Sequence, residues 1–329
     1  MTGQAPSHVV LVRPHHFRPN PQTAADNAFQ HLLDAPAKEV ARRAAAEVDG
    51  LAEVLENAGV GVTVIDDEGT ATPDSVFPNN WLSTHADGTL ALYPMYAENR
   101  RAERRPDLIE RLRERFTVSR VVDYSSAERE GRFLEGTGAM VLDHIARIAY
   151  ACRSRRLDPD LFEAVCADLG YEPVLFEASD ADGVPVYHTN VLMSVGTEVA
   201  LIGAEMIRDA EQRVQVLESL RRSGREILEL SEAQVHGFAG NCLEVLGGPS
   251  GQERLLVMSA RAAAQLTPAQ QHRIERSCRI LTAPVPTIEA AGGSVRCMLA
   301  GIHLPQRPAE ASPAISSPNT RTTVVPAAV

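Results

Sequence analysis

Near the end of the chain, the stretch "GGSVRCML" from Gly292 to Leu299 sets a cysteine behind two glycines and an arginine. Glycine allows close backbone approach and a guanidinium favours thiolate, so Cys297 has the setting of a nucleophile. The competing reading is a small buried hydrophobe, which is what most free cysteines are. That reading suffices for Cys152, Cys166, Cys242 and Cys278, which fall in or beside expected strands and helices. Five scattered cysteines without a C-x-x-C pair argue against a zinc ribbon or a dithiol redox centre.

A thiolate nucleophile needs a proton carrier, and histidine is the first choice. His188 stands in "VPVYHTNVLMSV", a polar cluster just before an apolar strand, where it reads either as that carrier or as a turn residue. His15 and His16 lie in a proline-rich segment; His144 in a tight turn and His272 on a helix are expected in solvent. Glu135 in "RFLEGTGAMVL" precedes a Gly-Thr-Gly turn and a buried strand. Asp74 opens "DSVFPNNWL", where turn chemistry accounts for Asp, Pro and Asn. It does not account for Val76, Phe77 and Trp81 around two adjacent carboxamides, Asn79 and Asn80.

The elements that must position these residues alternate along the chain. "HVVLVRP" reads as a buried strand, residues 37–57 as an amphipathic helix stopped by Gly59, and "VGVTVI" as a strand. "TLALYP" and "VSRVVDY" are strands around a charged helix over residues 101–116. "GAMVLDHIARIAYAC" gives two strands about a turn at Asp143–His144, and residues 158–169 a helix capped by Asp158 with Pro159 in its first turn. "VLMSVGTEVALIG" is a hairpin followed by a helix over residues 208–223, and "EVLGG" and "RLLVMSA" form a further pair before helical segments reaching Cys278. No strict repeat and no internal linker occurs, although the order suits repeated ββαβ units. Residues 1–307 read as one α/β catalytic domain and residues 308–329, rich in Pro, Ser, Thr and Ala, as a disordered tail.

The composition, 44% hydrophobic and 23% charged over 329 residues, is that of a soluble globular chain. No apolar run approaches the roughly 18 residues of a membrane helix, and the N-terminus lacks a signal-peptide pattern, so a cytoplasmic location is expected. A net charge of −11 argues against nucleic acid as a partner. Lys38 is the lone lysine among the cations, a bias that GC-rich coding explains. No G-x-G-x-x-G or P-loop appears, which weakens a nucleotide-binding reading.

Taken in order, "PDSVF" followed by Asn-Asn, "LEGTGAMV", "YHTNVLM" and "GGSVRCM" resemble the guanidine-modifying pentein superfamily over about residues 8–305. That group includes arginine deiminases, dimethylarginine dimethylaminohydrolases and amidinotransferases. "LVRPHHFRPNPQTAADNAFQ", "FPNNW", "YPMYAENRRAERR" and "FAGNCLEV" look like its citrulline-utilisation hydrolase branch. The resemblance implies a five-bladed α/β propeller of ββαβ units around a central active site. It assigns Cys297 as nucleophile, His188 as general acid/base and Glu135 as the paired carboxylate. Asp74 matches the first of two family aspartates that grip a guanidinium. The second falls at Asn80, and the acid of the deiminase His-x-Asp motif falls at Asn190.

These departures have a physical reading. A guanidinium presents only donors, whereas a neutral ureido group also carries a carbonyl acceptor, to which an Asn amide donates. Asn80 and Asn190 therefore favour citrulline, unless they serve only to support their loops. Arg100, Arg101 and Arg156 are the expected clamps for the substrate's α-carboxylate. The implied reaction is hydrolysis of L-citrulline to ornithine, ammonia and carbon dioxide, with no metal or organic cofactor and a small-molecule amino acid as partner; a homo-oligomer is left open. The rivals are an arginine or substituted-arginine deiminase, an amidinotransferase, and a non-catalytic amino-acid sensor.

Overall fold

The computed structural model describes residues 3–307, so the expected tail at 308–329 lies outside the described residues. Among the described residues, fifteen strands pair into five three-stranded sheets. Strands β1 (His8–Pro14) and β2 (Gly61–Asp67) are parallel, joined by the helix Ala37–Asn57. Strand β15 (Ala300–Gly301) completes their sheet antiparallel to β1, with Val9 opposite Gly301. The next unit is β3 (Leu82–Thr84), β4 (Thr89–Leu92) and β5 (Arg120–Asp123). Then follow β6 (Met140–Asp143), β7 (Ile148–Cys152) and β8 (Glu172–Phe176). The last two are β9 (Met193–Val195), β10 (Val199–Ile202) and β11 (Glu226–Glu229), then β12 (Leu243–Gly247), β13 (Glu253–Ser259) and β14 (Arg279–Ala283).

In each sheet the first strand is antiparallel to the second and the second parallel to the third, which is the ββαβ pattern. A parallel pair needs a crossover, and helices supply it. Apolar faces of these helices bury residues such as Val48, Leu51 and Leu55 against the sheets. First strands of several neighbouring units pack side by side: β3 against β15, β6 against β9, and β9 against β12. The C-terminal β15 thus closes the ring onto the N-terminal β1. The five-bladed α/β architecture is the one expected.

One boundary and one expected exposure differ from the sequence reading. The helix expected over 101–116 begins at Pro106, because Glu98–Glu103 winds as a 3-10 helix and proline takes the first α-helical turn. His144 is only partly exposed: it stacks at 4.0 Å on His303 and bonds to the Tyr171 hydroxyl at 2.8 Å. Asp158 does cap its helix, accepting from Leu161 N at 2.8 Å.

Candidate active site

Each unit enters its first strand through a short turn, helical in four of the five, and these turns build the site. Pro78–Asn80 leads to β3, Gly136–Ala139 to β6, Thr189–Leu192 to β9, residues 238–242 to β12 and Val295–Met298 to β15. Asn80, Glu135, His188 with Asn190, Asn241 and Cys297 come from the five in turn. All six are buried.

A narrow cavity is lined by Asp74, Phe77, Asn80, His188 and Cys297, with Arg100 and Arg156 in its wall. Gly293 shows why the opening motif needs glycine: a Cβ there would sit 2.8 Å from the Phe77 ring and 3.2 Å from Cys297 Cβ. Gly292 has φ of +84°, the left-handed region.

His188 Nε2 lies 2.8 Å from Glu135 Oε2, and Tyr96 N donates to the other oxygen at 3.0 Å. Burial alone would raise the Glu135 pKa, but the Arg156 charge, the His188 bond and the Arg100 charge outweigh it and hold the group ionised, well below the usual carboxylate range. Burial drives His188 down to about 4 against the pull of Glu135, so the ring is neutral at neutral pH. A neutral ring with Nε2–H on a carboxylate leaves Nδ1 as a proton acceptor.

Asp74 Oδ2 accepts from Asn20 Nδ2 at 2.9 Å, whereas Oδ1 is buried with no hydrogen-bond partner among the described residues. Burial holds its carboxyl above the usual carboxylate range, outweighing the pull of the Arg100 charge and the Asn20 bond. Asn80 Oδ1 accepts from Arg100 Nη1 at 2.9 Å. Because a guanidinium only donates, that contact fixes the amide orientation and leaves Asn80 Nδ2 as the group facing away from Arg100. Asn79 sits behind it, its Oδ1 accepting from Asn80 at 3.2 Å and its buried Nδ2 unpartnered. Asn190 Nδ2 lies 3.4 Å from Cys297 Sγ.

The arginines divide. Arg100 commits Nε and Nη2 to Glu103, at 3.0 and 2.9 Å, and Nη1 to Asn80. A guanidinium so fully spent is a structural cation between Asp74, 3.8 Å away, and Glu135, 3.6 Å away, and has no donor pair left for a substrate carboxylate. Arg101 turns away to Met95 O and Glu128, outside the cavity lining. Arg156 lines the cavity, paired with Asp26 at 2.8 Å and lying over the Tyr187 ring.

Several residues were not singled out by type and spacing. Asn20, Asp26, Thr23 and Asn27 belong to the irregular proline-rich segment after β1, and Asn241 to the turn before β12. Their one sequence signal is a long irregular stretch dense in Asn and Asp, a kind of loop that is often functional. Cys152, Cys166, Cys242 and Cys278 are buried and their thiols are pushed up to between about 11 and about 12, led in each case by burial. Among the described residues no group of three or more His, Cys, Asp or Glu is placed to hold a metal ion, and no helix is long and apolar enough to cross a membrane.

Residues 13–304 match the family model described as "N,N dimethylarginine dimethylhydrolase, eukaryotic". No curated protein matches the chain. Among solved structures it is similar to ArgZ, an arginine dihydrolase from the ornithine-ammonia cycle in cyanobacteria, at 17% identity and TM-score 0.68 over 89% of this chain. It spans only 40% of that protein's length, but 99% of the ArgZ N-terminal domain solved separately with product. Unliganded AgrE aligns at 18% identity and TM-score 0.70 over 92% of this chain and 40% of its own. DDAH from Pseudomonas aeruginosa, solved with citrulline, aligns at 16% identity and TM-score 0.58 over 90% of this chain and 98% of its own. These likenesses show the pentein fold.

Proposed function

The chain belongs to the N,N dimethylarginine dimethylhydrolase family, and from that premise we propose that it is a cysteine-dependent hydrolase of a ureido or guanidino carbon, with L-citrulline as the favoured substrate. The observation that carries this reading is the unpartnered Asp74 Oδ1. A buried carboxylate oxygen without a donor costs free energy that a substrate N–H would recover. Asn80 lines the same cavity, and its Nδ2, which donates one hydrogen to Asn79 Oδ1, has a second for a ureido carbonyl. Both Asp74 and Glu135 already have internal guanidinium neighbours, which lowers the advantage of a cationic substrate.

In the proposed sequence, His188 takes the Cys297 proton as sulfur attacks the ureido carbon, and negative charge moves onto the carbonyl oxygen beside Asn80. The same proton passes to the departing nitrogen as its C–N bond breaks. His188 then deprotonates a water, which displaces sulfur from the thiol-linked carbonyl. The carbamate released loses carbon dioxide, so citrulline and water give ornithine, ammonia and carbon dioxide whichever nitrogen departs first. Arg156 is the proposed carboxylate clamp, its Nε and Nη2 donor pair passing to the substrate from Asp26, a partly exposed carboxylate unlike the buried Glu103 that holds Arg100. The relatives solved with citrulline and with an arginine-derived product are consistent with an amino acid in this pocket.

A second reading, attack on arginine itself, draws on the same Asp74 oxygen, since a guanidinium also offers N–H donors. Mass spectrometry of enzyme quenched in acid after mixing with L-citrulline tests the covalent step. An adduct on the peptide containing Cys297, absent in Cys297→Ala, is the expected result. No adduct with citrulline but one with arginine would move the assignment to the second reading.

A further inference from the structure

Four of the five turns around the axis hold residues already given a role; the fourth, residues 238–242, holds Asn241. Its side chain is fully buried and every polar atom is committed. Oδ1 accepts from the Arg296 main-chain N–H at 3.1 Å. Nδ2 donates to Asn190 O at 2.9 Å and reaches Cys297 Sγ at 3.3 Å. An N–H on one side and a carbonyl on the other fix which end of the amide is which, so an N–H, and not a carbonyl, faces the sulfur. The Asn190 amide approaches the same sulfur from the preceding unit, Nδ2 donating at 3.4 Å and Oδ1 accepting from the thiol at 3.7 Å. No carboxylate bonds to it.

We propose that Asn241, with Asn190, forms an amide cradle that stabilises the anionic sulfur of Cys297, making Asn241 a catalytic residue of this site. The inference rests on the proposed function only in taking Cys297 as the nucleophile. Sulfur gains negative charge when His188 removes its proton and regains it when the thiol-linked intermediate collapses. The Asn241 N–H, held by main-chain contacts at both ends of its amide, meets that charge without reorganising, and the Asn190 amide adds a second contact to the sulfur. Hydrogen bonds to a charged group are worth about 1.5–3 kcal/mol, so losing one donor corresponds to roughly tenfold or more in thiolate population.

The test is the pH dependence of Cys297 alkylation by iodoacetamide, read by mass spectrometry of its peptide, a signal that does not depend on substrate. Asn241→Ala should move the alkylation midpoint up by about one pH unit or more. Asn241→Asp keeps the Oδ1 acceptor and the side-chain shape but sets a carboxylate against the sulfur, so it should move the midpoint further than Ala does. A merely structural role predicts the opposite order, with the near-isosteric Asp closer to wild type. Asn190→Ala, which leaves the Arg296 contact intact, should shift the midpoint in the same direction as Asn241→Ala and serves if the latter does not fold. Midpoints unchanged in folded variants, or Asp behaving as wild type, overturn the cradle whatever the enzyme does to citrulline. A shift in an enzyme inert to citrulline and arginine upholds the cradle and removes the substrate assignment.

Discussion

At the scale of single residues, the chemistry rests on how burial and charge divide the work. His188 is neutral because burial outweighs Glu135, and a neutral ring is what can accept a thiol proton. The acid limb of kcat/KM should therefore fall only as pH approaches about 4, where His188 becomes protonated and can no longer act as base. Cys297→Ala should lower turnover by roughly a thousandfold or more with the fold retained, measured by ornithine release. Asn80→Asp keeps the acceptor for Arg100 but replaces the donor expected at the ureido carbonyl. It should cut kcat/KM for citrulline by roughly a hundredfold while raising arginine turnover relative to citrulline. Cys297, His188, Glu135 and Asp74 could be singled out in the sequence by type and setting, the pentein resemblance joined them, and the structure brings them to one place. Asn20, Asp26 and Asn241 were not, because a carboxamide or carboxylate in a turn has an ordinary local explanation. Only the long-range contact, Asn20 with Asp74 or Asn241 with Cys297, sets it apart.

At the scale of elements, the short turns matter more than the long helices. Gly138 lies in the turn after Glu135, where a Cβ would meet Asn80 Nδ2 at 2.2 Å and the His188 ring at 2.8 Å. Gly138→Ala must displace one or both, and should lose most activity while costing about 1–3 kcal/mol of stability by denaturant unfolding. The chain start has a separate, structural task. Gln4 bonds Leu142 O and Val195 O, each at 2.9 Å, and accepts from His144 N at 2.8 Å, tying β6 to β9. Gln4→Ala leaves those groups unmet and should lower thermal stability by about 1–3 kcal/mol. The strand pairs and the helices at residues 37–57 and 158–169 could be read from periodicity and caps. The turns could not: four residues of helix have no period, and strands such as Leu82–Thr84 and Ala300–Gly301 are too short to alternate. Their pairing is supplied by the ring.

At the scale of the whole molecule, closing five units around one axis buries groups that would rather be in water. Burial holds His8, His85 and His188 down to about 4 and His303 to about 3, with His144 also lowered. Below the ordinary histidine pKa the unfolded chain takes up protons that the folded one refuses. The histidine contribution to stability should fall as pH drops from about 6.5 toward 4, by up to roughly 1.4 kcal/mol per unit of depression for each buried ring, and Glu103, which burial pushes up to about 8, offsets part of it. Melting temperatures at pH 7 and pH 5 check the direction, with the higher value at pH 7. The ring also brings five separate turns to one cavity, so the activity belongs to the closed molecule and to no one segment. Its most direct test is a product assay: incubate the protein separately with L-citrulline and L-arginine and resolve ornithine, citrulline and ammonia. Ornithine and ammonia from citrulline, at a higher kcat/KM than any product from arginine, is the predicted result. Citrulline accumulating from arginine while citrulline itself stays inert would contradict the neutral-substrate account.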